Sequence, residues 1–320
     1  MSDPKRHHTV PRVYLEKFTD KDSRLTVWSK RRKNTIRQVA GEALVRGYYY
    51  SQPEKGAERA NHHIESSFFN KIESLYPRFY SRLKDGNLDI DIDSFVHILA
   101  MLRSRSPSFR EAFELGLSDL VARFAKTIPR AELPIPPKDM PNILDQIVIT
   151  IDPHRSIHAM GLYIKNYASI LTRFEYSLQL APRGISLLTS DNPVVWYNNG
   201  YGTALPVIYP QDLTNNTRAI LPIDKETALI GKPSPTGSFK YKGYAGVLSA
   251  RQVREINELQ VACAWDQVVG VIALPMRSID RLSRLAPKID IGHFNADSGE
   301  FYILDTYLSQ IRNKHKFVRD

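Results

Sequence analysis

The sequence predicts an α+β fold: a mixed, mostly antiparallel sheet built from the N-terminal and C-terminal parts of the chain, with a central helical insertion packed beside it. Three observations predict this. Short apolar blocks of strand character occur near residues 25–39. From about 58 to 167 the apolar residues recur at three- and four-residue spacing, the period of a helix with one buried face. From about 169 to 275 the texture returns to β, with alternating segments closed by turn residues. Helices set between β-rich ends are the pattern of an α+β fold. The expected organisation is a single α+β domain over residues 1–290, followed by a C-terminal extension at 291–320.

Val10 to Phe18 reads as a short helix, with Pro11 in a first turn where the missing N–H costs nothing. Leu25 to Ser29 is a strand, Thr35 to Val39 its hairpin partner, and Tyr48 to Pro53 an aromatic strand stopped by proline. Glu58 to Lys84 carries Ile64, Phe68, Ile72, Leu75 and Phe79 on one helical face, with Pro77 as a kink. Helices follow at about Ser94 to Arg105, Ser108 to Lys126 and Asn142 to Tyr167, with a proline-rich loop at 128–141. Phe174 to Leu180, Ile185 to Thr189, Val194 to Tyr197, Arg218 to Pro222, Thr227 to Gly231 and Val268 to Leu274 read as strands. Ser249 to Trp265 is a helix with Val253, Ile256, Leu259 and Ala262 on one face.

The 320 residues are 42% apolar and 24% charged, ordinary for a globular protein able to bury a substantial core. One cysteine, Cys263, excludes an internal disulfide framework and reads as a small buried apolar residue. No apolar run approaches the roughly 20 residues that span a bilayer, so no membrane partner is expected. Residues 2–6 lack the apolar core of a signal peptide, and the expected location is cytoplasmic. A formal charge of +10 favours polyanionic partners, nucleic acid or nucleotide. The cations cluster at Lys30-Arg31-Arg32-Lys33, at Arg103, Arg105 and Arg110, and at Lys314-His315-Lys316, where a solvated surface run is the competing explanation.

Four polar groups are expensive for their context. His7-His8 precedes an apolar comb at Val10, Tyr14, Leu15 and Phe18; adjacent residues point apart, so one imidazole at most faces a given site. Glu58, His62 and Glu65 share a helix face, with His63 beside them and Glu73 beyond. That spacing can hold a divalent metal or supply a base with its orienting carboxylate; a solvated helix face has the same composition. Arg103 to Arg110 follows an apolar helix, and a buried arginine there needs a bound anion or an internal carboxylate such as Glu65 or Glu73. Asp191 and Asn192 open a proline-stabilised turn, a place both for a catalytic carboxylate and for a self-satisfied Asx-turn. Glycine-rich phosphate loops, nucleophile elbows and paired-cysteine metal sites are absent, which disfavours those chemistries.

Together these groups resemble the bacterial family known as domain of unknown function 4238. The resemblance rests on His7-His8-x-x-Pro11-x-x-Tyr14-Leu15-x-x-Phe18, on Ile64-Glu65 with Ile72-Glu73, on Arg105-Ser106-Pro107-x-x-Arg110 and on Ser190-Asp191-Asn192-Pro193. Leu221-Pro222, Ala228 to Ile230, Asn257 and Ala262 extend it, over about residues 7 to 275. The resemblance implies a grouping and no activity.

Two functions fit these residues. The first is an intracellular hydrolase, metal-assisted in its simplest form, acting on a phosphate-containing substrate such as nucleic acid or nucleotide. Its catalytic residues would be His7, His8, Glu65, Glu73 and Asp191, with Arg105, Arg110, Asn192 and Tyr14 binding substrate and a divalent metal as cofactor. The second is a non-enzymatic module binding nucleic acid or protein, in which the same residues form a buried structural network. Convergence on an open pocket favours the first; mutual pairing and closure favour the second.

Overall fold

The computed structural model describes residues 6–50, 69–87, 89–129, 153–198, 205–206, 216–271, 276–282, 284–296 and 299–310, with scattered positions between 132 and 139. It is α+β, with mostly antiparallel sheets. Strand β1 (Arg6–His8) leads into helix α1 (Arg12–Leu15) and a 3-10 turn (Glu16–Phe18). Pro11 sits at the N-cap, and Val10, Tyr14, Leu15 and Phe18 are buried, so the comb read from the sequence anchors this end in the core. Strands β2 (Arg24–Ser29) and β3 (Asn34–Val39) form the expected hairpin. Of the aromatic strand expected over Tyr48 to Pro53, residues 48–50 form a turn, and 51–53 lie outside the described residues. Strand β4 (Val45–Gly47) pairs with β1 and stops, because Tyr48 has φ +51° and turns the chain through Tyr50.

The helices come next: α2 (Asn70–Lys84), α3 (Ile92–Ser104), α4 (Pro107–Thr127) and α5 (Pro153–Leu171). Helix α2 carries Pro77 internally and ends at Gly86, whose φ of +65° suits the left-handed position after a helix. Ser106 caps α4 by accepting from Phe109 N–H, with Pro107 as the first helical residue. Helix α5 is described from Pro153 onward. The parts of the expected helices at 58–68 and 142–152 lie outside the described residues.

The β-rich part comprises β5 (Phe174–Leu180), β6 (Thr189–Ser190), β7 (Val195–Asn198), β8 (Leu205–Pro206), β9 (Thr217–Asp224), β10 (Thr227–Pro233) and β11 (Lys240–Val247). Helix α6 (Ala250–Cys263), strand β12 (Gln267–Gly270), helix α7 (Met276–Leu282) and strands β13 (Leu285–Ala296) and β14 (Gly299–Gln310) complete it. Ser249 starts α6 with a capping box, its hydroxyl accepting from Gln252 N–H while the Gln252 side chain accepts from Ser249 N–H. The boundary expected at 290–291 falls inside β13, which pairs along its whole length with β14.

The strands make two main sheets where the sequence suggested one. The larger has the order β11-β5-β10-β9-β7-β8, antiparallel except for β11 beside β5. The smaller has the order β3-β2-β12-β6 and joins the N-terminal hairpin to C-terminal strands. Helices α3 and α5 meet the larger sheet through aromatic contacts, and α2 packs on α3 and reaches the sheet through the hydrogen bonds of Tyr80 to Asp224 and of Tyr241 to the Leu83 carbonyl. Phe95 of α3 lies 4.7 Å from Tyr176 and 5.4 Å from Phe79, while Trp196 lies 5.1 Å from Tyr167 of α5. Tyr176 fits because Gly231 stands opposite it in the neighbouring strand. A Cβ at 231 would meet Tyr176 Cε1 at 2.5 Å, inside any permitted contact. Gly231→Ala is therefore expected to destabilise the protein by about 1–3 kcal/mol; an unchanged urea midpoint would show that the Tyr176 ring moves aside freely.

Candidate functional site

The polar residues singled out in the sequence divide between two places. The first is the segment that joins α6 to β12, residues 263–267. A helix ends in carbonyls with no intrahelical partner, and here they are met from three directions. Lys30 Nζ donates to the carbonyls of Ala262, Ala264 and Leu285, at 3.3, 2.7 and 2.8 Å. Ser108 Oγ and Asn192 Nδ2 both donate to the Cys263 carbonyl, at 3.1 and 2.9 Å. The next three amides are collected by one side chain. Asp191 Oδ1 accepts from Trp265 N–H at 2.7 Å, and Oδ2 accepts from Asp266 and Gln267 N–H at 2.8 and 3.0 Å.

The turn around Asp191 is as fully engaged. Tyr14 O–H donates to the Pro222 carbonyl at 2.7 Å, which leaves the Thr189 hydroxyl as donor in their 2.6 Å contact. Ser190 Oγ donates to Gln260 Oε1 at 2.9 Å, and Gln260 Nε2 donates to the Pro193 carbonyl at 2.9 Å. Asn192 Oδ1 accepts from Arg103 Nη1. Desolvation dominates the electrostatics. Burial pushes the Asp191 carboxyl above its ordinary range against the pull of its amide donors, and it raises the Tyr14 phenol far above its ordinary value. The Cys263 thiol is pushed up to about 12, and the Lys30 ammonium is brought down to about 8 despite the nearby Asp191 charge.

The second place lies where β1, β4, α2 and the α3–α4 junction meet. Arg105 is buried, ion-paired to Glu73, and packed over the Phe69 and Tyr50 rings at 4.6 and 5.3 Å. Tyr50 holds this corner together: its hydroxyl donates to the Arg105 carbonyl at 2.8 Å, and its N–H donates to His7 Nδ1 at 2.9 Å. Arg110 pairs with Glu114 at 3.2 Å, donates to the Tyr49 carbonyl and lies over the Tyr49 ring. Arg46 pairs with Glu111 beside the same ring. His7 is buried, whereas His8 is half-buried, with Nδ1 3.2 Å from the Ala43 carbonyl. Burial first, and the Arg105 charge second, push His8 below the ordinary histidine value of 6.5, with Glu73 opposing.

The expected set is thus only partly assembled. His8, Glu73 and Arg105 come together, while Tyr14, Asp191 and Asn192 belong to the network around the end of α6. Glu58, His62, His63 and Glu65 lie outside the described residues. Among the described residues, no group of three His, Cys, Asp or Glu side chains is placed to hold a metal ion. Lys30 belongs to the basic run of the sequence yet is buried as a clamp; Arg32 and Lys33 beside it are exposed. Gln260, Glu111 and Glu114 carry no motif in the sequence, being single polar residues on helices. Glu114 alone had a signal, its four-residue spacing from Arg110.

The fold and these two networks define an α+β protein in which most of the described polar motif residues are buried. The chain belongs to the family DUF4238, described as a protein of unknown function, which matches residues 6–271. No curated protein and no solved structure matches it. Among the described residues, no helix is long and apolar enough to cross a membrane.

Two outcomes follow from this geometry. Asp191→Asn removes the charge and turns an amide N–H₂ toward backbone N–H groups, so a loss of about 2–3 kcal/mol is expected in denaturant unfolding. A loss below about 0.5 kcal/mol would contradict the cradle. The second outcome concerns pH. Because the folded-state pKa of His8 lies below 6.5, the unfolded chain takes up the proton first as pH falls. Stability contributed at neutral pH is therefore lost on acidification from about 6.5 down through the folded value. The Tm gap between wild type and His8→Gln is expected to narrow between pH 8 and pH 5; a gap constant with pH would overturn the assignment.

Proposed function

We propose that the protein is a non-enzymatic module that binds nucleic acid, and that the polar motifs hold its fold together. The observation that supports this reading is pairing. Arg103, Arg105 and Arg110 end on Asn192, Glu73 and Glu114, and Asp191 spends both oxygens on backbone amides. Arg110, whose partner Glu114 is buried, reaches a phosphate only by leaving that carboxylate unpaired, which costs about 3–5 kcal/mol. The pairs Arg105–Glu73, Arg110–Glu114 and Arg46–Glu111 cancel internally. Nearly all of the +10 surplus therefore lies outside this network, and exposed Arg32 and Lys33 at the β2–β3 turn carry part of it. Counterion release makes such a surplus sufficient for polyanion association. A cytoplasmic location belongs to this reading.

Fluorescence anisotropy with a labelled single-stranded RNA and a DNA duplex tests it. The expected result is binding whose logarithm falls linearly with the logarithm of salt concentration, weakened in Arg32→Glu/Lys33→Glu at unchanged Tm. No binding to either probe at about 50 mM salt would overturn it.

One observation favours the second reading, a metal-assisted hydrolase of a phosphate-containing substrate. His8 is held toward its neutral form beside the Glu73 carboxylate, whose side chain is 21% exposed, and a neutral imidazole can accept a proton. Hydrolysis of bis(p-nitrophenyl) phosphate with added Mn²⁺, abolished in His8→Gln at unchanged Tm, would establish that reading in place of the first.

A further inference from the structure

Leu75, Arg78, Phe79 and Arg82 follow one another along α2 at spacings that place them on one face. With the start of α3 they line a cleft of about 160 Å³. Its floor is aromatic, Phe79 and Phe95 meeting edge to face at 5.4 Å. Its rim is cationic. Arg78 is exposed and makes no ion pair among the described residues, and Arg82 Nη1 is tethered to the Asp89 carbonyl at 3.1 Å. The acid of the lining, Asp91, stands at the N-cap of α3 and accepts from the Ser94 hydroxyl, so it is already engaged. Leu75 is 40% exposed, a large apolar side chain left in water beside two guanidiniums.

We propose that this cleft docks an acidic amphipathic segment of a partner protein, one aromatic or leucine-sized side chain filling the cleft and a neighbouring carboxylate meeting Arg78. The volume matches the occupant, since a cavity of about 150 Å³ accepts a benzene ring. Charge complementarity selects it: nucleic-acid phosphates would use the arginines but leave the apolar floor in water, and an uncharged apolar segment would leave Arg78 unanswered. Apolar anchors at helical spacing between two helices are the usual geometry of helix-in-groove recognition. The cleft shares no residue with the β2–β3 turn, so this inference stands apart from the nucleic-acid reading.

The test titrates the whole protein into a fluorescein-labelled helical peptide with Phe and Leu on one face and Glu on the other, read by anisotropy. The expected result is saturable binding, weakened about tenfold or more by Arg78→Glu and by Leu75→Asp at unchanged Tm, and retained in Arg32→Glu/Lys33→Glu. The proposal is overturned by no binding at millimolar protein, by equal binding of the Arg78→Glu variant, or by equal binding of a peptide with Lys in place of Glu. Competition by 3-phenylpropionate as strong as that by unlabelled peptide would also overturn it, assigning the cleft to a small aromatic acid. Loss of binding in the Arg32→Glu/Lys33→Glu variant alone would return the peptide to the polyanion surface.

Discussion

The end of α6 is the constraint on which the rest of this structure depends. A helix that stops inside a protein exposes carbonyls, and a chain that then turns back exposes amides, and both are costly when water is excluded. Here the carbonyls of residues 262–264 face Lys30, Ser108 and Asn192, and the amides of 265–267 face Asp191. The cation lies at the negative end of the helix dipole, and the anion lies against donors that follow it. Three separate parts of the chain are tied to one short segment. Asn192 extends the tie to Arg103, and the neighbouring Arg105 carries it on to Glu73 and, through Tyr50, to His7.

This arrangement explains why residues of catalytic type need not mark a catalytic centre. Carboxylates, imidazoles and guanidiniums solve buried hydrogen-bonding problems as well as chemical ones, and burial makes each of them obligatory once placed. Asp191 shows the difference. A general base needs a lone pair facing substrate, and its oxygens face backbone amides. Among the described residues of the set, His8 and Glu73 are not wholly enclosed, and so mark the part where chemistry is least constrained by the fold.

Much of the fold was legible in the sequence because periodicity reports burial directly. Helices α3, α4 and α6 and strands β2, β3, β5, β9 and β10 follow from the spacing of apolar residues. Strand β11 was not legible, since Lys240, Lys242, Gly243 and Gly246 break any alternation. Tyr48 to Tyr50 read as a strand because aromatic residues favour sheets, but a positive φ at Tyr48 overrides that preference. In the site, the sequence offered Glu65 or Glu73 as a carboxylate partner for a buried arginine, and Arg105 stands paired with Glu73. It did not reveal that Lys30 is buried, because a compact basic run has the composition of a solvated turn. Nor did it reveal which partners Asp191 takes, since backbone amides have no letter in the sequence.

The small sheet also sets an order on the making of the protein. Strand β2 lies at the beginning of the chain and finds its neighbour β12 only after some 240 residues, and Lys30 waits longer still for the Leu285 carbonyl. Contacts of such sequence separation close slowly, because the intervening loop must be ordered before they contribute anything. During synthesis the N-terminal hairpin, with a lysine destined for burial, stands with one edge open until most of the chain has emerged. The α6–β12 joint is therefore a late checkpoint: a chain cut short before it has neither acceptors for Lys30 nor donors for Asp191, and presents two buried-type charges to the solvent as a mark of its incompleteness.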